Sequence, residues 1–374
     1  MSRLRSYFER LIESADIRVD GDRPWDVRVH DDRLFQRVLT TGTLGLGEAY
    51  MDGWWDCDAI DQMIDRAHRS NIAQRLVSPV TLMRVAEAKL RNLQAGRRAF
   101  EVGERHYDIG NDLYERMLGT PMLYSCAYWR TATDLSAAQV AKLELIRNKL
   151  AIEPGMRVLD IGCGWGAAAR HFAEHAGCEV VGLTVSTEQA SYARTLCDGL
   201  PVEVRVQDYR EIDEPFDRVY SIGMFEHVGV KNYRAYMETV RRCLESPDGL
   251  SLLHTIGGNR SSSRTDPWMD RYIFPNSMLP SASQIATAAE GVLTLEDWHN
   301  FGPDYDRTLM AWHRNVTDAW DDLPAATYDQ RFRRMWDFYL LVSAGGFRSR
   351  YLQLWQTVFS RDGLPEVYAP PGIR

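Results

Sequence analysis

The chain has 374 residues, 45% of them hydrophobic and 26% charged, with a formal net charge of −8. Such a length and balance suit an enzyme domain with a smaller partner domain and exclude a disordered or fibrous chain. The acidic excess argues against a nucleic-acid binder, and no apolar run is long enough to span a bilayer. Six cysteines without C-x-x-C spacing fit a reduced, cytoplasmic protein with no zinc cage.

In chain order, the opening MSRLRSYFERLIES lacks the apolar centre of a secretory signal. Its Leu4, Tyr7, Phe8, Leu11 and Ile12 recur at helical spacing and predict a short amphipathic helix. The region to about residue 130 reads mostly helical, with its charge unevenly spread. Arg66, Arg69, Arg75, Arg84, Lys89, Arg91, Arg97 and Arg98 face the single acid Glu87. A basic block inside an acidic chain asks for an anionic partner, although most such runs are solvated helix faces. Residues 80–93 mix these cations with Leu82, Met83, Val85, Ala86, Leu90 and Leu93. That mixture suits a helix lying on a membrane surface, or equally one packed on its own core with its arginines outward.

A helix over 135–150 leads to a break at Pro154-Gly155. Strands are then expected at 157–161, 179–183, 202–207, 218–222 and 250–255, with helices at 167–176, 187–198 and 232–244 between them. The alternation predicts a doubly wound α/β domain with a mostly parallel sheet. Residues 257–280, rich in Ser, Asn, Pro and aromatics, read as an ordered loop or lid, and 328–343 and 346–359 read as helices.

Within that alternation, the apolar strand Val158-Leu159-Asp160-Ile161 runs into Gly162-Cys163-Gly164-Trp165-Gly166 and then a helix. Glycines serve where backbone turns sharply and approaches a ligand, and the flanking strand and helix stand on the correct sides. The turn is tighter than in dinucleotide sites, and an acid, Asp160, precedes it. This arrangement resembles the first motif of class I S-adenosylmethionine methyltransferases. A nucleotide without phosphates needs no phosphate cradle, and its sulfonium and amino groups favour a carboxylate. The second strand runs on to Thr184-Val185-Ser186 with no acid before Glu188, so ribose contacts fall to Thr184, Ser186 or Gln189. Asp208, after the third strand, is placed for the adenine amino group. The plain alternative is a turn that only packs a helix on a strand.

Longer motifs follow one another along the chain. They are Gly45-Leu46-Gly47-Glu48-Ala49-Tyr50-Met51-Asp52-Gly53-Trp54-Trp55, His106-Tyr107-Asp108-Ile109-Gly110-Asn111-Asp112 and Tyr124-Ser125-Cys126-Ala127-Tyr128-Trp129. Gly223-Met224-Phe225-Glu226-His227-Val228-Gly229, Leu253-His254-Thr255-Ile256-Gly257 and Asp297-Trp298-His299-Asn300-Phe301-Gly302 come after them. From about Val29 to Arg361 the chain resembles the bacterial cyclopropane-fatty-acyl-phospholipid synthases. The resemblance implies a seven-stranded methyltransferase-type sheet as the catalytic domain over 116–374, and a smaller, mainly helical lipid- and membrane-binding domain over 1–115. It implies methylene transfer from S-adenosylmethionine to the cis double bond of an unsaturated phospholipid acyl chain, forming a cyclopropane ring. The enzyme would be a homodimer at the inner face of the cell membrane, its basic block on anionic lipid. The implied cofactor set is Tyr124, Ser125, Asp160, Gly162, Gly164, Gly166, Thr184, Ser186, Gln189, Asp208 and Tyr209.

An alkene is a poor nucleophile, so the methyl donor must be held in line with it in a dry pocket, where water cannot capture the resulting cation. Phe225, Trp268, Tyr272, Phe274 and Tyr305 are candidates for aromatic walls, though each can equally be core packing. In the resembling family a bound bicarbonate is thought to take the proton, which implies a pocket of Cys126 and Ile256 (through their backbones), Glu226, His254 and Tyr305. His254 and Tyr305 can donate hydrogen bonds to the ion, and Glu226 can accept from its hydroxyl. The bland readings are a helix cap for Glu226, a satisfied core histidine for His254 and packing for Tyr305. Ser343 stands where some relatives carry a cysteine, which counts against a cysteine-covalent mechanism. Three other outcomes stay open: a methyl or methylene branch, a lipid-surface binding protein with a vestigial nucleotide site, and a small-molecule methyltransferase.

Overall fold

The computed structural model describes residues 3–72 and 110–370, so the basic helix expected at 80–93 lies outside the described residues. The chain divides into two compact units. One is Met1–Asn92 with Ser263–Asn276 and Tyr305–Leu352, and the other is Leu93–Ser262 with Ser277–Asp304 and Gln353–Arg374. The sequence division at residue 115 assigns both later segments of the first unit to the catalytic domain. The difference arises because amphipathic helices late in the chain complete the core of the N-terminal segment.

In the first unit, α1 (Arg3–Glu13) is the expected amphipathic helix. Phe8, Leu11 and Ile12 are buried, and Phe8 meets Phe35 of α2 (Arg33–Thr41) edge-on, centroids 5.4 Å apart. Next come α3 (Thr43–Met51) and α4 (Ile60–Arg69), beside a two-stranded ribbon of β1 (Arg28–Val29) and β2 (Trp55–Asp56).

In the second unit, α5 (Asn111–Leu118) and α6 (Leu135–Leu150) precede the sheet. Asp134 caps α6 by accepting from Ala137 N at 2.9 Å. The expected alternation then follows: β3 (Arg157–Ile161), α7 (Ala167–Ala176), β4 (Glu179–Thr184), α8 (Thr187–Leu196), β5 (Val202–Val206), β6 (Arg218–Ile222), α9 (Tyr233–Cys243) and β7 (Leu250–Gly258).

The stretch expected as a loop over 257–280 contains a short helix of the first unit, α10 (Pro267–Tyr272). Asp266 starts it by accepting from Trp268 N and Met269 N, and Pro267 fits the first turn because it lacks the N–H an interior residue must donate. Back in the second unit, α11 (Ala282–Ala289) begins with a capping box of Ser281 and Gln284, and β8 (Thr294–Asn300) follows. The helices α12 (Pro303–Asp318) and α13 (Gln330–Arg348) come next, and β9 (Leu352–Ser360) closes the sheet. Within the first unit α13 packs along α4 and α3. At Gly345 the approach is so close that a Cβ would lie 2.5 Å from the Asp61 carbonyl oxygen.

The strand at 352–360 corrects the helix expected at 346–359. Leu354, Trp355, Val358 and Phe359 recur at i, i+1, i+4 and i+5, a spacing that fits a helix as well as a strand buried on both faces. Pairing decides: β9 runs antiparallel to β8, with Trp355 opposite Asn300 and Phe359 opposite Leu295.

The seven strands lie in the order β5-β4-β3-β6-β7-β9-β8, with β5 to β7 mutually parallel. Side chains alternate across the sheet. Leu159 and Ile161 join one core with Val219, Met237 and Val240, while Val158 joins the other with Leu143, Ile146 and Phe172. From β3 the chain moves first toward β5 and later, by way of β6, toward the opposite edge. The order therefore reverses between β3 and β6, and ligands of open α/β sheets bind outside the carboxyl ends of strands at such a point.

Candidate active site

A cavity of about 180 Å³ opens at that reversal in the second unit. The turn after β3 contributes Asp160, Gly162 and Gly164, and the loop before α6 contributes Tyr124 and Ser125. Thr184 and Gln189 line it from the end of β4 and the start of α8, Asp208 and Tyr209 from the turn after β5. Gly162 has φ +97°, and a Cβ there would sit 2.7 Å from the Met224 Cβ, so only glycine fits. Asp160 is 1% exposed and accepts from Tyr220 OH at 2.8 Å. Burial pushes its carboxyl up to about 7, against the lowering effect of that bond.

Two expected cofactor residues stand behind the cavity wall rather than in it. Ser186 caps α8 by accepting from Gln189 N, and Gly166 starts α7 where Ala193 of α8 presses close. Thr184 donates to Gln189 Oε1 at 3.0 Å, so these two polar walls are held by each other. Asp208 has both oxygens engaged by Arg210. Burial raises its carboxyl, but the Arg210 bonds outweigh that and hold it below the usual range. An adenine amine bound at Asp208, as the sequence reading expects, would share it with Arg210.

The expected proton-handling residues of this unit lie on adjacent elements. Glu226 sits in the turn after β6, and its Oε1 accepts from Ile256 N of β7 at 2.6 Å. Its Oε2 is buried without a hydrogen-bond partner among the described residues. Burial pushes this carboxyl up to about 7, opposed by the Ile256 amide and the Thr255 hydroxyl. His254, 1% exposed in β7, meets Gln356 Nε2 through Nδ1 at 3.3 Å, while its Nε2 has no partner among the described residues. Burial, reinforced by Lys142 and Lys149, holds the imidazole neutral. Cys126 is fully buried with its thiol donating to Ala127 O at 3.2 Å, which leaves its backbone as the useful part.

Tyr305 belongs to the first unit, 7% exposed, with its ring 4.5 Å from that of Phe347. Trp268, Tyr272 and Phe274 belong to that unit as well. Phe225 is core: it stacks on Tyr233 at 4.2 Å and is 0% exposed. Ser343 is buried in α13.

Sequence reasoning missed His227, which lines the cavity and whose imidazole burial lowers to about 4. It also missed Lys142 and Lys149, both 0% exposed on α6. The available signal was position: two lysines seven residues apart fall on one helical face, among Ala138, Leu145 and Ile146.

The model of the mycolic acid cyclopropane synthetase family matches residues 94–357. The chain belongs to this family. The cyclopropane-fatty-acyl-phospholipid synthase of Escherichia coli (strain K12) is 50% identical over 352 residues, 94% of this chain and 92% of that protein. The tuberculostearic acid methyltransferase UfaA1 of Mycobacterium tuberculosis is 30% identical over 368 residues, 89% of this chain and 82% of that protein. Among solved structures, the mycolic acid cyclopropane synthase CmaA1 complexed with SAH and CTAB superposes with a TM-score of 0.64 at 32% identity, over 70% of this chain and 98% of that one. The chain is thus an S-adenosylmethionine-dependent transferase of one-carbon groups on the class I methyltransferase fold. Its cavity fits such a nucleotide: a buried carboxyl group at Asp160, a wall at Gly162 that a side chain would fill, and, among the described lining residues, an arginine, Arg210, that is already held by Asp208.

Proposed function

We propose that the enzyme transfers a methylene group from S-adenosylmethionine to the cis double bond of unsaturated acyl chains in membrane phospholipids, closing a cyclopropane ring. The observation that carries this reading is the extent of likeness to the phospholipid synthase of E. coli, which spans 94% of the chain and so includes sequence before residue 94. Bound at the sheet reversal, the nucleotide supplies an electrophilic methyl group on a sulfonium. Asp160, Tyr124, Ser125, Thr184, Gln189, Asp208 and Tyr209 are the proposed binding groups, and Gly162 and Gly164 let the backbone approach.

A bicarbonate ion, if bound here, would supply the base, and Glu226 Oε2 and His254 Nε2, both without partners among the described residues, would be suitable to hold it. A neutral His254 can donate from one nitrogen, and a Glu226 poised near neutrality can accept from or return a proton to the ion. The Cys126 backbone and the Ile256 carbonyl would complete the set within this unit, the Ile256 N–H being given to Glu226. Tyr305, which the resemblance adds, is tested separately by Tyr305→Phe. The basic block between Arg66 and Arg98 is proposed to hold a peripheral enzyme, working as a homodimer, on anionic lipid at the inner membrane face. No helix among the described residues is long and apolar enough to cross a membrane.

The test is mass spectrometry of phospholipid vesicles with cis-unsaturated chains, incubated with the protein and methyl-labelled S-adenosylmethionine. Lipids heavier by one methylene and resistant to double-bond cleavage support the proposal. Labelled chains that are still unsaturated, or saturated and branched, favour the second reading, acyl-chain methylation, which the likeness to UfaA1 keeps in view. Absence of label from lipid overturns both.

A further inference from the structure

Two side chains of α6, one turn apart, reach the loop that walls the cofactor cavity. Gln139 Nε2 donates to Leu123 O at 3.2 Å and to Ser125 O at 3.0 Å. Lys142 Nζ donates to Ser125 Oγ at 2.7 Å. Gln139 is 1% exposed and Lys142 0%, so neither is a surface residue that happens to lie nearby. A lysine so deeply buried is costly, and burial lowers its ammonium to about 7. No carboxylate is paired with its Nζ among the described residues, in contrast to Lys149, which meets Asp297 Oδ2 at 3.0 Å.

The direction of the Lys142 bond has a consequence for Ser125. In its ammonium form Lys142 has donors only, so Ser125 Oγ then accepts, and its own proton is left to point elsewhere. Ser125 lines the cavity, and the charge behind it strengthens the hydroxyl as a donor. Asp160, on another wall of the same cavity, offers the opposite polarity. A cation-backed donor and a carboxylate in one cavity match a zwitterionic α-amino acid, its carboxylate toward Ser125 and its ammonium toward Asp160. Of the parts of S-adenosylmethionine, only the methionine end is such a group.

We infer that Lys142 is a positioning residue for the cofactor: it never touches the nucleotide, but orients and polarises the Ser125 hydroxyl as the donor to the methionine carboxylate. Gln139 fixes the same loop from the preceding turn. The inference rests on the nucleotide reading of the cavity and is independent of the lipid acceptor.

Calorimetric titration of the full chain tests it, with S-adenosylhomocysteine and 5′-methylthioadenosine (which lacks the amino-acid end) as probes. Ser125→Ala, Lys142→Met and the double variant are compared with the parent chain. Each single change should weaken S-adenosylhomocysteine binding about tenfold, the loss expected for one charge-assisted hydrogen bond. The double variant should be no weaker than the worse single one, and binding of 5′-methylthioadenosine should stay within about twofold of the parent. Additive losses, equal losses for both probes, or parent-like binding by Lys142→Met would overturn it. Methionine has nearly the shape of the lysine stem and suits a buried site; if that variant does not fold, Lys142→Gln and the probe comparison in Ser125→Ala decide. Failure of the parent chain to bind S-adenosylhomocysteine would instead overturn the nucleotide reading itself.

Discussion

Asp160 and Glu226 are carboxylic acids at 1% and 6% exposure, and burial pushes each up to about 7. A carboxyl raised in the folded state favours folding below its unfolded value, and that contribution is lost as pH rises through the folded one. For Glu226 the window runs from about 4.5 to about 7. Glu226→Gln should therefore match the parent chain in stability near the lower limit. By pH 8 it should unfold at a higher temperature, by an amount corresponding to roughly 3 kcal/mol. Calorimetric melting across that range checks the sign. Function should move the opposite way: Glu226→Ala and His254→Ala are expected to lose at least about a hundredfold in turnover, as removal of proton-handling groups does. Affinity for S-adenosylhomocysteine should stay within about threefold, since neither residue lines the cofactor cavity. Parent-like turnover would discard the bicarbonate pocket. Asp160 and Glu226 were readable from their motifs. Lys142 was legible only as a position on the helical face of Ala138, Leu145 and Ile146; a lysine in such a helix is ordinarily solvated, and packing is what shows it buried.

Among the elements, the turn between β3 and α7 was readable in detail, since glycine spacing, a preceding acid and flanking periodicity agree. Its tolerance is correspondingly low. Gly162→Ala forces a side chain into φ +97° and against Met224, and should weaken S-adenosylhomocysteine binding by more than about tenfold in titration. The α13–α4 contact of the first unit makes a separate demand. Gly345→Ala pushes a methyl toward the Asp61 carbonyl and should cost about 1–3 kcal/mol, seen as a lower melting midpoint. β9 was misread because apolar residues in adjacent pairs satisfy helical and doubly buried strand spacing alike. A partner strand, supplied by residues 294–300 far from it in sequence, resolved the ambiguity.

For the whole molecule, the acidic net charge of −8 and the basic block act on different partners. The acidic excess argues against a nucleic-acid partner, while the block is proposed to bring the chain to anionic lipid. Reversing Arg84, Lys89 and Arg91 to Glu should cut binding to phosphatidylglycerol vesicles by at least about a hundredfold, given about 1 kcal/mol for each basic residue near such a surface. Sedimentation with vesicles at two salt concentrations checks this. The parent chain should be released by salt, and the triple variant should show little left to release. Unchanged binding would free the block from any lipid role.

Local pattern was enough to determine the α/β class, the nucleotide turn, most strands and helices of 135–255, and the family. Each of these rests on periodicity or on residues close together in the chain. Tertiary structure decided what depends on segments far apart. Helices from 263–276 and 305–352 complete the N-terminal unit because each must bury an apolar face. The edge of the sheet makes 352–360 a strand. Among the described residues the fold also leaves Glu226 and His254 with one unsatisfied atom each, and it brings Lys142 behind Ser125. Burial and hydrogen-bond partners are properties of the packed chain, and no spacing of letters encodes them.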